Sequence, residues 1–170
     1  MINKRMQDAI NEQIKFEIYS ANLYLSMSAY IEGKNLKGIA HWLRVQYEEE
    51  TFHALKLYDY LKNREGQVII QSIDAPPSEF GTPLETFEKV LEHEQHVTAG
   101  INKLYKIAIE ENDFAAQIFL QWFVNEQMEE EASASEVIGK MKLIGDRGVD
   151  LLYLDTELSA RVFVPPTATV

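Results

Sequence analysis

The chain has 170 residues, enough for one domain with a sizeable core, and a globular composition of 46% apolar and 25% charged residues. It has no cysteine, which excludes disulfides, thiolate metal sites and thiol catalysis together. A formal net charge of −11 argues against nucleic acid and anionic membrane as partners and is compatible with cations.

No apolar run approaches the ~20 residues of a membrane span. The opening MINKRMQDAI turns polar and helical at once, without a leader-like apolar stretch, so a cytoplasmic setting is expected. Four long segments then show helical periodicity. The first is predicted over residues 3–32, ending at Gly33 as a left-handed stop. The second is predicted over 35–63 with Asn35 as N-cap. The third, over 82–111, opens on TPLE: Thr82 as cap, Pro83 at the first helical position and Glu85 completing a capping box. The fourth covers 113–144 and stops at Gly145. A fifth, short pattern over 148–160, VDLLYLDTELSA, precedes a tail, VPPTATV, without helical signal.

The joins set the topology. Connections of a few residues make helices one and two, and three and four, antiparallel hairpins. Between the hairpins lie 18 residues, REGQVIIQSIDAPPSEFG. Extended, such a segment spans up to ~55 Å, more than the ~42 Å of a long helix in this chain. The expected fold is therefore all-α: a single domain over 1–170, built as a four-helix bundle with one long crossover between helices two and three and a short C-terminal fifth helix.

Each of the four apolar stripes is interrupted near its centre. Helix one carries Glu17 after Met6, Ile10 and Ile14; helix two carries Glu50 and His53 between Tyr47 and Leu57. Helix three carries Glu94 between Leu91 and Val97, and helix four carries Gln127 and Glu130 between Phe123 and Ala134. The spacing is regular: 33 residues separate Glu17 from Glu50 and again Glu94 from Gln127. Glu17, Glu50 and His53 each recur 77 residues later as Glu94, Gln127 and Glu130. Two hairpins gathered around one shared site leave such a pattern.

A carboxylate taken into a core costs several kcal/mol unless it is paired, and no Lys or Arg lies on these stripes near the site. A pair of divalent cations supplies the missing charge. Oxygen ligands with a single imidazole suit iron or manganese.

On these residues the chain resembles the non-haem bacterial ferritins over essentially its whole length. Glu17, Glu94 and Glu50-x-x-His53 match the carboxylate-bundle pattern of that superfamily. The fourth helix departs from it with Gln127-x-x-Glu130, where bacterioferritins and di-iron oxygenases keep a second Glu-x-x-His.

The resemblance implies a di-iron centre in which Glu17, Glu50 and His53 hold one iron, Glu50 bridges, and Glu94 and Glu130 hold the second. Gln127 would line the site, a third iron position would be matched by Glu49, Glu126 and Glu129, and Tyr24 would supply an electron. Trp122 also matches a family aromatic, but core packing accounts for it equally well. The implied activity is ferroxidase: Fe²⁺ is oxidised by O₂ or H₂O₂ and stored as ferric mineral inside a homo-oligomeric shell of 24 subunits. The fifth helix would pack around the fourfold axis, and the acid surplus would suit the shell's interior and channels. Haem is not expected, because Thr51 follows Glu50 where bacterioferritins have methionine.

Two other classes use the same residues: a soluble di-iron peroxidase or oxygenase without a storage cavity, and a non-catalytic bundle that binds metal. Against the former stand Gln127-x-x-Glu130 and a chain with no room for a substrate or electron-transfer domain. Unpaired buried carboxylates count against the latter. His41, His93 and His96 lie off the ligand pattern and are expected at the solvated surface.

Overall fold

The computed structural model describes residues 1–145 and 147–166. Five helices follow in order: α1 (Lys4–Glu32), α2 (Lys37–Asn63), α3 (Pro83–Glu110), α4 (Phe114–Ile144) and α5 (Gly148–Leu158). α1 pairs with α2 and α3 with α4, α1 also packs on α3, and α5 docks on α2 and α4. This is the four-helix bundle with one crossover and a short fifth helix. Residue 146 and the last four residues of the tail, 167–170, lie outside the described residues.

The helix starts follow from local chemistry. Asn3 caps α1 by accepting from the Met6 amide at 2.8 Å. At α3 the capping box is complete: the Glu85 amide donates to Thr82 Oγ1 at 3.2 Å and the Thr82 amide to Glu85 Oε2 at 2.6 Å. Asp113 caps α4 through the Ala116 amide and holds Arg64, at the end of α2, by two hydrogen bonds of 3.1 and 3.0 Å.

The α1–α2 turn differs from the expectation. Gly33 stays in the right-handed region (φ −60°), and Asn35 takes the left-handed conformation (φ 63°). Asn35 therefore turns the chain rather than capping α2, and asparagine is among the few residues that tolerate this conformation. α2 begins after Leu36, which has no capping side chain. The missing cap comes from α5: Asp155 Oδ1 accepts from the Ile39 amide at 2.8 Å.

The crossover returns along the whole of α1. Asn11 donates to the Gln67 carbonyl and accepts from the Ile69 amide, at 3.0 and 2.7 Å. Further along, Ser26 donates to the Pro77 carbonyl and Tyr30 to the Gly81 carbonyl, at 2.6 and 3.0 Å. Phe80 then drops into the core beside Tyr30.

The apolar core falls into two bodies. One gathers Met27, Ile31, Leu43, Phe87, Val90 and Val137, and the other Met6, Ile10, Leu57, Ile101, Leu104 and Leu120. Between them, at the level of the interrupted stripes, lies a belt of buried polar side chains. Among the described residues, no helix is long and apolar enough to cross a membrane.

Candidate metal centre

All six interrupting side chains point into the bundle. Glu17, Glu50 and Glu94 are 0% exposed, and His53, Gln127 and Glu130 are buried with them. Donor atoms of Glu17, Glu50 and His53 all lie within 4.8 Å of one another, and so do those of His53, Glu126 and Glu130. His53 is common to both groups. Glu94 enters from α3, its Oε2 accepting from Gln127 Nε2 at 3.0 Å and its Oε1 accepting from the Tyr24 hydroxyl.

Two glutamines not anticipated from the sequence orient these carboxylates. Gln13 Nε2 donates to Glu17 Oε1 at 2.9 Å, and Gln46 Nε2 donates to Glu130 Oε2 at 2.7 Å. Each lies one helical turn before a site glutamate, Glu17 or Glu50, so the 33-residue repeat extends to them and held a signal for them.

The electrostatics are those of a site short of positive charge. Burial, then repulsion from Glu94, pushes the Glu50 carboxyl up to about 7. Burial and repulsion from Glu130 push Glu94 up to about 8. Glu17 is raised by burial and by Glu50, and Glu130 chiefly by burial. For His53, burial favours the neutral ring, but Glu50, Glu126 and Glu17 more than offset it and hold the imidazole well above its ordinary value. No Lys or Arg among the described residues forms an ion pair with Glu17, Glu50, Glu94 or Glu130.

Among the described residues the buried polar atoms without a hydrogen-bond partner are Glu17 Oε2, Glu50 Oε2, both ring nitrogens of His53 and Gln127 Oε1. All belong to this one belt. Unsatisfied buried polar atoms are uncommon in folded proteins, and convergence of several marks a place built for a ligand. Carboxylate oxygens and one imidazole form a donor set for hard or borderline divalent cations such as Fe²⁺ or Mn²⁺.

The three residues expected at a third position are not gathered. Glu126 faces His53, with Oε1 3.9 Å from Nε2. Glu49 is instead paired with Arg161, and Glu129 is exposed and joins neither donor group. Trp122 packs edge-on to His53, ring centroids 5.4 Å apart. His41 and His96 are exposed as expected.

His93 is not. It is buried in the α1–α3 seam, its Nε2 2.8 Å from Ser20 Oγ, against the rings of Phe16, Tyr19 and Tyr24. Burial, with His96 adding to it, lowers it to about 4, so it is a neutral core histidine. The partners that bury it lie on α1, which the stripe of α3 alone does not reveal.

Comparison with known proteins agrees with this geometry. The family model of the ferritin-like domain matches residues 7–144. A bacterial non-heme ferritin of Bacteroides fragilis is 47% identical over 161 residues, covering 95% of this chain and 100% of that protein. One of Campylobacter jejuni is 41% identical over 155 residues, covering 91% of this chain and 93% of that one. Among solved structures, a humanized archaeal ferritin superposes with a TM-score of 0.95 at 49% identity, covering 97% of this chain and all of that one. The open-pore ferritin of Archaeoglobus fulgidus gives 0.94 at 49% identity, covering 95% of this chain and 99% of that one. The four carboxylate-bearing helices all fall within the matched span, and the chain belongs to the ferritin family.

Proposed function

We propose that this chain is an iron-storage ferroxidase of the cytoplasm. The observation that carries the reading is the convergence, in one belt, of every partnerless buried polar atom among the described residues, on side chains suited to iron. Glu17, Glu50 and His53 hold one Fe²⁺, Glu50 bridges, and Glu94 and Glu130 hold the second, with Gln127 lining the site. The donor groups around His53 and the glutamine-fixed orientations of Glu17 and Glu130 support this division.

Iron is substrate here. Each of two Fe²⁺ gives one electron, and O₂ takes both with two protons to form H₂O₂. With H₂O₂ as the oxidant, the same two electrons and two protons cleave the O–O bond to give two waters. The carboxylates release their protons as iron binds, which offsets the charge that burial otherwise disfavours. Tyr24, hydrogen-bonded to Glu94, is placed to give a further electron and to hold that carboxylate in its ionised form. Fe³⁺ leaves the centre and hydrolyses to mineral.

The storage half of the proposal is a shell of 24 copies. A single chain leaves large apolar side chains exposed on several elements: Leu55 and Tyr58 on α2, Ile118 on α4, and Leu152 and Tyr153 on α5. Exposed apolar surface on this scale fits burial between subunits. Non-haem iron is the only metal cofactor in this reading.

The test is aerobic loading of iron-free protein with a large excess of Fe²⁺, followed by sizing with iron and protein read together. Many iron atoms per chain co-eluting with a very large particle support storage. Iron that stops at about two per chain on a small oligomer would make the bundle a di-iron enzyme without a cavity.

A further inference from the structure

The strongest unassigned feature is the segment after α5. From Arg161 onward the chain has no regular structure and lies along α2. The Arg161 carbonyl accepts from or is bridged by His41 Nε2 at 2.9 Å, and its guanidinium sits over the Trp42 ring, 4.1 Å from the centroid. Two residues on, Phe163 packs against Phe52, with centroids 5.6 Å apart. His41, Trp42, Glu49 and Phe52 follow one another along α2, so the strap is held over several turns.

At its centre the guanidinium reaches inward. Arg161 pairs with Glu49 through Nη2 and donates to Gln46 Oε1 through Nη1 at 2.7 Å. Gln46 in turn donates to Glu130. Both members of the Arg161–Glu49 pair are largely shielded from solvent, at 19% and 12% side-chain exposure. A part-buried arginine in a fork geometry is a firmly held cation, harder to displace than an exposed one.

We propose that Arg161 is a tethered cation occupying the position where a third metal ion would bind beside the iron pair, and that it limits the resting chain to two. This rests on the ferroxidase reading of the site. Three observations carry it. Glu49 is already neutralised by Arg161. Glu129 is turned to solvent and leaves Glu126 alone facing the pair. The same guanidinium fixes Gln46, so that the amide is presented to Glu130. A metal ion at Glu49 would have to displace the guanidinium or share the site with its like charge. Arg161 is thus a specificity-determining and positioning residue: it sets how many metal ions the centre takes and holds a Glu130 ligand oxygen in place.

The experiment uses Zn²⁺, which binds without redox chemistry, titrated calorimetrically into iron-free assembled protein, with circular dichroism and native mass confirming each variant. Wild type should bind two ions per chain tightly. Arg161→Gln should gain a third, bound about tenfold or more tightly than any third ion in wild type. Adding Glu49→Gln to Arg161→Gln should remove that third ion and leave the pair, which separates this position from other acidic surface. An Arg161→Gln protein with wild-type stoichiometry and affinity would overturn the assignment, as would a wild type that binds three ions tightly. A wild type that binds no pair would overturn the ferroxidase reading and this proposal with it.

Discussion

Tyr24 on α1 and Glu94 on α3 are joined by a hydrogen bond in which the phenol donates to Glu94 Oε1, deep in the bundle and away from solvent. The bond favours the ionised carboxylate, against the burial and the Glu130 charge that push it toward protonation. A hydrogen bond to a charged group contributes roughly 1.5–3 kcal/mol. Tyr24→Phe should therefore weaken binding at the second iron position by about tenfold or more near neutral pH and slow oxidation, while the first position holds. Anaerobic Fe²⁺ titration beside stopped-flow oxidation measures both. Unchanged affinity at both positions would mean that the phenol acts only in electron transfer.

Removing ligands should separate the two positions. Glu50 is placed between the two donor groups, so Glu50→Ala is expected to lose both iron positions and fast oxidation together. Glu130→Ala should lose mainly the second, with one ion per chain still bound. Glu129→Ala, at an exposed residue, should leave the paired binding intact. Full-rate oxidation by Glu50→Ala would remove that residue from the bridging role.

The raised carboxyls make stability and metal affinity depend on pH in a definite direction. Glu50 and Glu94 move from an ordinary 4.5 to about 7 and about 8 in the folded chain. Between those limits the folded state binds protons that the unfolded state has lost, so metal-free stability falls as pH rises from about 5 to 8. His53, also raised, acts in the same direction, because its favourable charge is lost as pH rises through its folded value. Divalent metal supplies the charge instead and competes with these protons. The thermal midpoint gained on adding Zn²⁺ should be largest near pH 8 and shrink toward pH 5.5. In the Glu50→Gln, Glu94→Gln double variant the metal-free trend should flatten; a trend as steep as wild type would assign it to other groups.

Much of the centre was legible in the sequence, because a carboxylate at a core position breaks the apolar period wherever it occurs. Glu17, Glu50, His53, Glu94, Gln127 and Glu130 each announce themselves in this way, and all six meet in the folded bundle. Gln13 and Gln46 were equally exposed to view, one turn earlier in the same repeat, but an amide at such a position carries no unmet charge and draws no attention. Arg161 lay beyond any periodic argument: it follows the last helix and meets Glu49 across 112 residues of chain. The cap of α2 was hidden for the same reason, since it is lent by Asp155 from α5 rather than by the residue before the helix.

That borrowed cap gives a test of α5. A Cβ at Gly38 would fall 1.6 Å from the Asp155 carbonyl oxygen, backbone against backbone, so Gly38→Ala must push α5 off α2. The four long helices have no such conflict and should remain folded. If α5 closes the assembly, Gly38→Ala should convert the large particle into smaller oligomers, read by native mass. Asp155→Ala, which removes the cap alone, should cost ~1 kcal/mol and lower the thermal midpoint by roughly 2–4 °C. A Gly38→Ala protein that assembles normally would take α5 out of the closure.

The most direct measurement is iron-edge anomalous diffraction from crystals soaked in Fe²⁺ without oxygen. The predicted result is a pair of peaks in the belt of every chain, one flanked by Glu17, Glu50 and His53 and the other by Glu50, Glu94 and Glu130. Peaks confined to surface carboxylates, with the belt empty, would contradict the ferroxidase assignment at its root.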